Sequence, residues 1–77
     1  MEKQLVTHTA ALIQRYIASR PDAADTIEGI HLWWIDWPQS PEQPAVTLAA
    51  LEQLEAADLM ERVQIGGREL WRAKRSR

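Results

Sequence analysis

Two adjacent glycines near the carboxyl end, Gly66 and Gly67, constrain the fold of this chain more than any other feature of its sequence. Paired glycines supply the positive φ angles that a two-residue β-hairpin turn requires. Val63 and Ile65 alternate with polar residues before the turn, and Leu70 lies after it. This pattern predicts a tight hairpin of two short antiparallel strands.

The two-residue turn also fixes the register of the hairpin. Counting outward from the glycines pairs Val63 with Leu70 and Arg62 with Trp71. The two members of each pair share one face of the sheet. We expect Val63 and Leu70 to face the core, and Arg62 to lie against Trp71 on the opposite face as a cation–π pair. Trp71 would then either contact solvent or a partner, or only stiffen the hairpin.

The residues before the hairpin predict a helix that begins at Pro44, since proline suits the first helical position. Its apolar residues recur at helical spacing and share one face, namely Val46, Ala50, Leu51 and Leu54. Asp58 stands where a left-handed residue commonly ends a helix, and the apolar Leu59 and Met60 follow it. The carboxyl half therefore predicts a helix, a capped stop and a hairpin.

The pattern A-L-x-x-L-x-x-x-x-L-M-x-x-V-x-I-G-G-x-x-L-W-R, over residues 50–72, resembles the last helix and wing of winged-helix domains. The resemblance implies a three-helix body with the hairpin packed against it, and a short strand at 22–24 that completes the sheet. We therefore expect residues 1–77 to form one mainly α domain with a small β-hairpin, of class α+β. Residues 3–73 would form its ordered core and residues 74–77 a basic tail.

The amino-terminal half predicts a first helix over residues 2–19. The apolar side chains of this helix keep to one side, and include Leu5, Leu12, Ile13, Tyr16 and Ile17. The helix ends before Pro21, because the residue that precedes a proline is pushed out of the α region. Farther along, three prolines between 36 and 44 predict a stiff connection to the third helix.

A second helix is predicted to begin at a cap formed by Asp25 or Thr26 and to extend to about Ile35. Gly29 lies inside this helix, where a glycine costs about 1 kcal/mol relative to alanine. Its presence predicts the close approach of another helix at that position.

The absence of cysteine excludes disulfides, thiolate catalysis and cysteine-based zinc sites, and favours a reducing, cytoplasmic location. The sequence contains no uninterrupted apolar run of the kind that predicts a signal peptide or a membrane span. The two histidines, His8 and His31, have no further ligand at metal spacing, so we expect no metal and no cofactor. Without nucleophile–base spacing or a glycine-rich phosphate loop, the chain is expected not to be an enzyme.

The net charge of −2 conceals an uneven distribution. Residues 1–61 hold three basic and ten acidic residues, which gives −7, and residues 62–77 hold six basic residues and one acidic residue, which gives +5. Such a division predicts an acidic body with a basic end. That end either meets an anionic partner or is only a solvated tail.

Large apolar residues are in excess around the second helix and the connection after it. A surface helix buries only the arc of its surface that faces the core. Three large apolar side chains lie outside this arc, namely Leu32, Trp33 and Trp37. These side chains either pack beneath the long loop or form an exposed patch that marks a protein interface.

The outward face of the third helix offers the side chains of Leu48, Glu52 and Glu55, and the helix contains no basic residue. Acidic side chains repel a polyanion, and DNA reading requires cations beside the phosphates. The favoured function is therefore a non-catalytic protein-interaction or adaptor module that docks another protein or a second copy of itself. The predicted interface combines these three residues with Leu32, Trp33 and Trp37.

The alternative function is a DNA-binding transcriptional regulator, which the winged-helix resemblance implies. Such a protein would contact phosphates through its wing and basic end, with little reading of the bases. The candidate nucleic-acid contacts are Gln53 on the third helix and the cations Arg62, Arg68, Arg72, Lys74 and Arg75.

Overall fold

The computed structural model describes residues 2–75, which form three helical segments and a three-stranded antiparallel sheet. In chain order the elements are helix α1 (Lys3–Ser19), strand β1 (Ala24–Asp25), helix α2 (Ile27–Gly29) with a π-helical turn after it (Ile30–Trp34), helix α3 (Pro44–Ala56), and strands β2 (Met60–Ile65) and β3 (Arg68–Ala73). The α+β class expected from the sequence is confirmed. Met1, Ser76 and Arg77, and with them part of the predicted basic tail, lie outside the described residues.

Helix α1 ends at Ser19 as predicted and begins at Lys3, one residue later than predicted. The Glu2 side chain accepts hydrogen bonds from free N–H groups of the first turn, including that of Leu5 at 3.2 Å. The Arg20 N–H bonds back to the last turn, and Pro21 prevents a further one. The buried face of the helix carries Thr9, Ala10 and Ile13. This face packs mainly against α3.

The second helical segment is not a uniform α-helix to Ile35, as the sequence predicts. Thr26, one of the two expected caps, accepts a hydrogen bond from the Gly29 N–H at 3.2 Å. After this single α-helical turn the chain widens into the π-helical turn, a rare conformation that is frequent at functional sites. The turn buries Ile30, His31 and Trp34.

Gly29 makes room for a neighbouring side chain. A Cβ atom at Gly29 would overlap the carboxylate of Asp25. That carboxylate is held in place, since its Oδ1 accepts a hydrogen bond from the Thr26 N–H at 2.8 Å. The close approach expected from another helix therefore comes from Asp25 instead.

Helix α3 begins at Pro44 and ends in a left-handed residue, both as predicted. Asp58 has a φ of +64°. The N–H groups of Leu59 and Asp58 bond to the carbonyls of Leu54 at 2.9 Å and Glu55 at 3.0 Å. These two bonds form a Schellman motif, which satisfies carbonyls left free at the helix end. The motif leads the chain directly into β2.

The sheet has the strand order β1-β3-β2, so β3 is the central strand. The glycine turn has φ angles of +58° and +78°, and the register pairs Val63 with Leu70 and Arg62 with Trp71, as counted from the sequence. A third strand does complete the sheet, but it lies at Ala24–Asp25 and not at 22–24.

The predicted assignment of the two hairpin faces is wrong. Trp71 is fully buried in the core together with Met60, whereas Val63 and Leu70 lie half-buried on the outer face. The indole offers far more apolar area than an aliphatic side chain, so burying it dominates. The cation–π pair is confirmed, with Arg62 Cζ 4.5 Å from the Trp71 ring centroid, but it lies at the edge of the core.

The helices and the inner face of the sheet share one hydrophobic core. Its buried members are Ala10, Ile13, Ile30, Trp34, Ile35, Ala50, Leu51, Leu54, Met60 and Trp71. Four large apolar side chains of the described residues are exposed instead: Leu32, Trp33, Leu59 and Ile65. The core thus accounts for the apolar faces of all three helical segments and leaves a small set of surface hydrophobic residues to explain.

Candidate functional site

Leu32 and Trp33 project from the outer side of the π-helical turn. Trp33 exposes 77% of its surface and Leu32 exposes 53%, while the flanking His31 and Trp34 are buried. We refer to these two exposed residues as the Leu32–Trp33 patch. Of the two interpretations that the sequence left open, exposure applies to this pair.

Buried contacts on the inner side of the π-helical turn hold the patch in position. His31 Nδ1 lies 2.6 Å from Thr47 Oγ1 on α3. The Trp34 ring stacks on Tyr16 of α1, with ring centroids 4.5 Å apart and planes inclined by 13°. Because the turn is tied to both long helices, the backbone that carries the exposed indole needs little ordering when a partner binds.

Trp37 packs beneath the long loop, which is the other of the two interpretations that the sequence left open. It is half-buried against the core, and its Nε1–H donates to the His31 carbonyl at 2.7 Å. Its ring also lies 5.2 Å from the His31 imidazole. Trp37 is therefore separate from the Leu32–Trp33 patch and serves as the wall of a different feature.

That feature is a cleft of about 420 Å³ between α1 and the proline-rich loop, which we refer to as the α1–loop cleft. Its apolar lining includes Leu5, Leu12 and Trp37, and its polar groups include His8, Asp36 and Glu42. Sequence reasoning missed this cleft. The available signal was Asp36-Trp37-Pro38, an acidic and an aromatic residue at the start of a stiff loop.

The junction of α3 with the hairpin is acidic. Arg62 donates two hydrogen bonds of 2.9 Å to the Glu55 carboxylate, and its guanidinium lies 3.7 Å from Glu69. Glu52 also acts on Arg62 electrostatically. The hydrogen bonds from Arg62 lower the pKa of the Glu55 carboxyl, and those to Glu55 raise the pKa of Arg62. We refer to these four residues as the acidic junction, in which three carboxylates surround one cation.

The other predicted residues of α3 contribute less to the surface. Leu48 is half-buried and packs against the core, so little of it is available outward. Gln53 is exposed. The outward face of α3 is thus polar and acidic, with Glu52 as its exposed charge.

Most of the candidate phosphate-binding cations are occupied by carboxylates of the same chain. Besides Arg62, Arg72 Nε donates to Glu61 at 2.7 Å, and Lys74 Nζ lies 3.2 Å from Asp58. Within residues 2–75, two candidate cations are exposed and form no ion pair, namely Arg68 and Arg75. Arg77, the last cation of the predicted basic end, lies outside the described residues.

The predicted interface residues lie in separate places. The Leu32–Trp33 patch, the α1–loop cleft beside Trp37 and the acidic junction share no ion pair, hydrogen bond or ring contact among the residues that the structure describes. Sequence reasoning also missed two exposed apolar side chains, Leu59 and Ile65, at 46% and 55% exposure. Their positions beside a helix end and a hairpin turn gave no periodic signal.

Across residues 2–75, no three or more His, Asp or Glu side chains lie together as metal ligands would. The helices in this part of the chain are too short or too polar to cross a bilayer. A scan against protein-family models and searches of curated proteins and of solved structures found no match to this chain. Function is therefore inferred from the surfaces themselves.

Proposed function

We propose that this chain is a non-catalytic protein-interaction module on a winged-helix scaffold, and that it docks a polypeptide through the Leu32–Trp33 patch. The succession of three helical segments and a glycine-turn hairpin, with a short strand paired to β3, supports the scaffold. The observation that carries the function is Trp33, whose indole exposes 77% of its surface on a turn that His31 and Trp34 tie to the two long helices. Large exposed apolar groups of this kind mark interaction sites.

The energetic reason is the area that a partner would cover. A tryptophan buries about 150–250 Å² when it is enclosed. At about 25 cal/mol per Å², covering the exposed 77% of Trp33 would alone contribute roughly 3–5 kcal/mol before the costs of association, which is the range of an interface hot spot. Two adjacent side chains therefore suffice to anchor a partner, provided that weaker contacts around them exclude water.

The acidic junction favours a polypeptide over nucleic acid as the partner. In DNA-binding winged-helix domains the third helix meets the major groove, and the corresponding surface here presents Glu52, Glu55 and Glu69 around Arg62. Carboxylates brought against phosphates repel them, and their desolvation adds to the cost. The single arginine of the junction already serves two of these carboxylates.

The experiment compares partner capture by immobilised wild-type chain with capture by two surface variants. Trp33→Ser removes the indole, and Leu59→Ser removes an exposed apolar side chain elsewhere on the surface. We expect a protein retained by the wild type and by Leu59→Ser, with at least about tenfold less retained by Trp33→Ser. Light scattering on the purified wild type and on the same two variants tests whether the partner is a second copy of the chain.

Equal retention by Trp33→Ser and Leu59→Ser would contradict the proposal, and so would a strictly monomeric chain that retains no protein. Both substitutions are at exposed positions, so their effect on the free energy of unfolding should stay within about 0.5 kcal/mol. Circular dichroism before each capture assay checks this.

A further inference from the structure

We propose that the α1–loop cleft binds a basic side chain, arginine or lysine, that stands among apolar residues in an extended segment of the partner polypeptide. The proposal rests on the proposed function, because it names the chemistry of a partner segment. The cleft is nevertheless separate from the Leu32–Trp33 patch, so each site can be tested alone.

The lining of the cleft matches a cation on an apolar stem. Leu5 and Leu12 provide apolar surface from α1, and Trp37 provides an aromatic surface from the loop. Arginine and lysine carry their charge on a hydrocarbon stem, and the cation is attracted to the face of an indole. The volume of about 420 Å³ falls within the usual range of ligand sites, and exceeds what one side chain fills. Room remains for an apolar neighbour.

The charges around the cleft select a cation. Asp36 and Glu42 stand exposed at its rim, and no lining residue in the described part of the chain is lysine or arginine. Arg15 continues the same stripe of α1 one turn beyond Leu12, outside the lining. An anionic side chain would meet two carboxylates here, and no lysine or arginine lines the cleft in the described part of the chain.

The cleft is formed before any partner arrives. The Trp37 indole is anchored by its hydrogen bond to the His31 carbonyl, at 2.7 Å, and Pro38 directly follows it. Proline fixes the backbone φ angle of the loop at this point. A preformed site loses little conformational entropy on binding, so little of the favourable free energy of the ligand contacts is offset by ordering Trp37 and the loop.

The attraction between charges would not be sufficient for binding, so the basic side chain of the partner must have apolar neighbours. An exposed ion pair contributes little free energy, since water screens it and two side chains are immobilised. An extended segment with leucine beside arginine adds apolar burial against Leu5 and Leu12 to the attraction of the rim carboxylates. The partner segment is therefore expected to be mixed in character rather than a run of basic residues.

The test is a titration of the ¹⁵N-labelled chain with the synthetic peptide acetyl-Leu-Arg-Ala-Leu-amide, followed by ¹H–¹⁵N NMR. We expect saturable shifts at the Trp37 indole N–H and at the backbone of His8 and Ser40, which line the cleft. The same peptide with citrulline in place of arginine keeps the shape of the side chain and removes its charge. It should bind at least about tenfold more weakly.

Two double variants locate the charge effect. Asp36→Asn with Glu42→Gln should weaken binding of the arginine peptide about tenfold and leave the citrulline peptide unchanged. Asp22→Asn with Glu28→Gln removes the same charge from exposed positions outside the cleft lining, and should change binding less than twofold. Equal binding of the arginine and citrulline peptides, or equal weakening by both double variants, would overturn the proposal. Shifts centred away from Trp37 would also overturn it.

The two proposals fail in different ways. Trp33→Ser should leave the peptide titration unchanged, because Trp33 does not line the cleft and the patch shares no ion pair, hydrogen bond or ring contact with it in the described part of the chain. If peptide selectivity is absent while capture still depends on Trp33, only the cleft proposal is lost. If the peptide binds as expected and capture does not depend on Trp33, the cleft is an independent site and the proposed docking through the patch is wrong.

Discussion

Arg62 connects the core of this protein to its surface through one side chain. Its guanidinium lies over the buried Trp71 ring, with Cζ 4.5 Å from the ring centroid, and forms two hydrogen bonds to Glu55. The Trp71 Nε1–H is buried and has no hydrogen-bond partner among the described residues. Leaving such a donor unpaired costs about 1–3 kcal/mol. The apolar contacts of the ring and the cation above it therefore offset a penalty inside the core.

The substitution Arg62→Gln should raise the pKa of the Glu55 carboxyl toward its ordinary value. In the wild type the folded-state pKa is lowered, chiefly by the hydrogen bonds from Arg62. The pair therefore stabilises the fold above the unfolded-state pKa of about 4.3, and this contribution is lost as pH falls through the lower folded-state value. Titration of the Glu55 carboxyl carbon by ¹³C NMR measures the change.

Arg68→Gln is the matched control for that titration, since it removes an exposed arginine that has no ion pair in the described part of the chain. The Glu55 titration midpoint should stay at its wild-type position in this variant. A midpoint that does not move in Arg62→Gln, or that moves equally in both variants, would contradict the assigned cause.

The conformation or burial of a single residue could be predicted from the sequence where residues close to it in the chain determine it. The left-handed Asp58 and the pairing of Arg62 with Trp71 were predictable, because a helix stop and a two-residue turn are set by a few neighbouring residues. The choice between exposed Trp33 and half-buried Trp37 was not. This difference in burial depends on the loop, which brings the Trp37 indole to the His31 carbonyl. The spacing of apolar residues in the sequence does not predict such a contact.

At the scale of elements, the second helical segment departs most from a regular pattern. It combines one α-helical turn, capped by Thr26, with a π-helical turn that presents Leu32 and Trp33. A uniform helix was expected there because the apolar spacing alone cannot distinguish 3.6 residues per turn from a wider turn over so short a stretch. The hairpin faces were misassigned for a related reason, since both faces carry apolar residues and only the size of Trp71 decides between them.

Gly29→Ala should destabilise the chain, although this change usually stabilises a helix. Alanine gains about 1 kcal/mol over glycine in a helix interior, but a Cβ here overlaps the Asp25 carboxylate and displaces it from the Thr26 N–H. Urea unfolding of the two single variants and the double variant forms a thermodynamic cycle. In the Asp25→Ala background, Gly29→Ala should raise the free energy of unfolding by about 0.5–1 kcal/mol. The same sign in both backgrounds would exclude the proposed overlap.

At the scale of the whole molecule, opposite charges are separated along the chain but rejoined in the fold. The basic carboxyl end contributes Arg62, Arg72 and Lys74, and each is paired with a carboxylate from the acidic body. The sequence predicted the charge division correctly and could not predict this pairing, because it depends on which strand register brings Glu61 opposite Arg72. The basic end therefore offers less free positive charge than its composition indicates.

Releasing Arg62 should raise the affinity of the chain for DNA above that of the wild type. The triple variant Glu52→Gln, Glu55→Gln and Glu69→Gln neutralises the acidic junction. We expect it to bind a short duplex at low salt at least about tenfold more tightly than the wild type, and to lose this binding as salt is added. Fluorescence anisotropy of a labelled duplex provides the measurement.

The matched control is a triple variant that removes three carboxylates elsewhere, Asp22→Asn, Glu28→Gln and Glu42→Gln, all at exposed positions. It changes the net charge equally and should bind the duplex less tightly than the junction variant. Equal binding would show that net charge, and not the position of the junction, governs the interaction. Tight binding by the wild type at physiological salt would instead favour a nucleic-acid function.

The stack of Trp34 on Tyr16 has an optical consequence. Tyr16 is the one tyrosine of the chain, and its ring lies 4.5 Å from that of Trp34, with the Arg20 guanidinium 4.6 Å from its centroid. At such separations the excited phenol passes its energy to the indole and emits almost nothing itself. Tyrosine emission from the native protein should therefore be very weak, and it should increase when unfolding carries the tryptophans away from Tyr16.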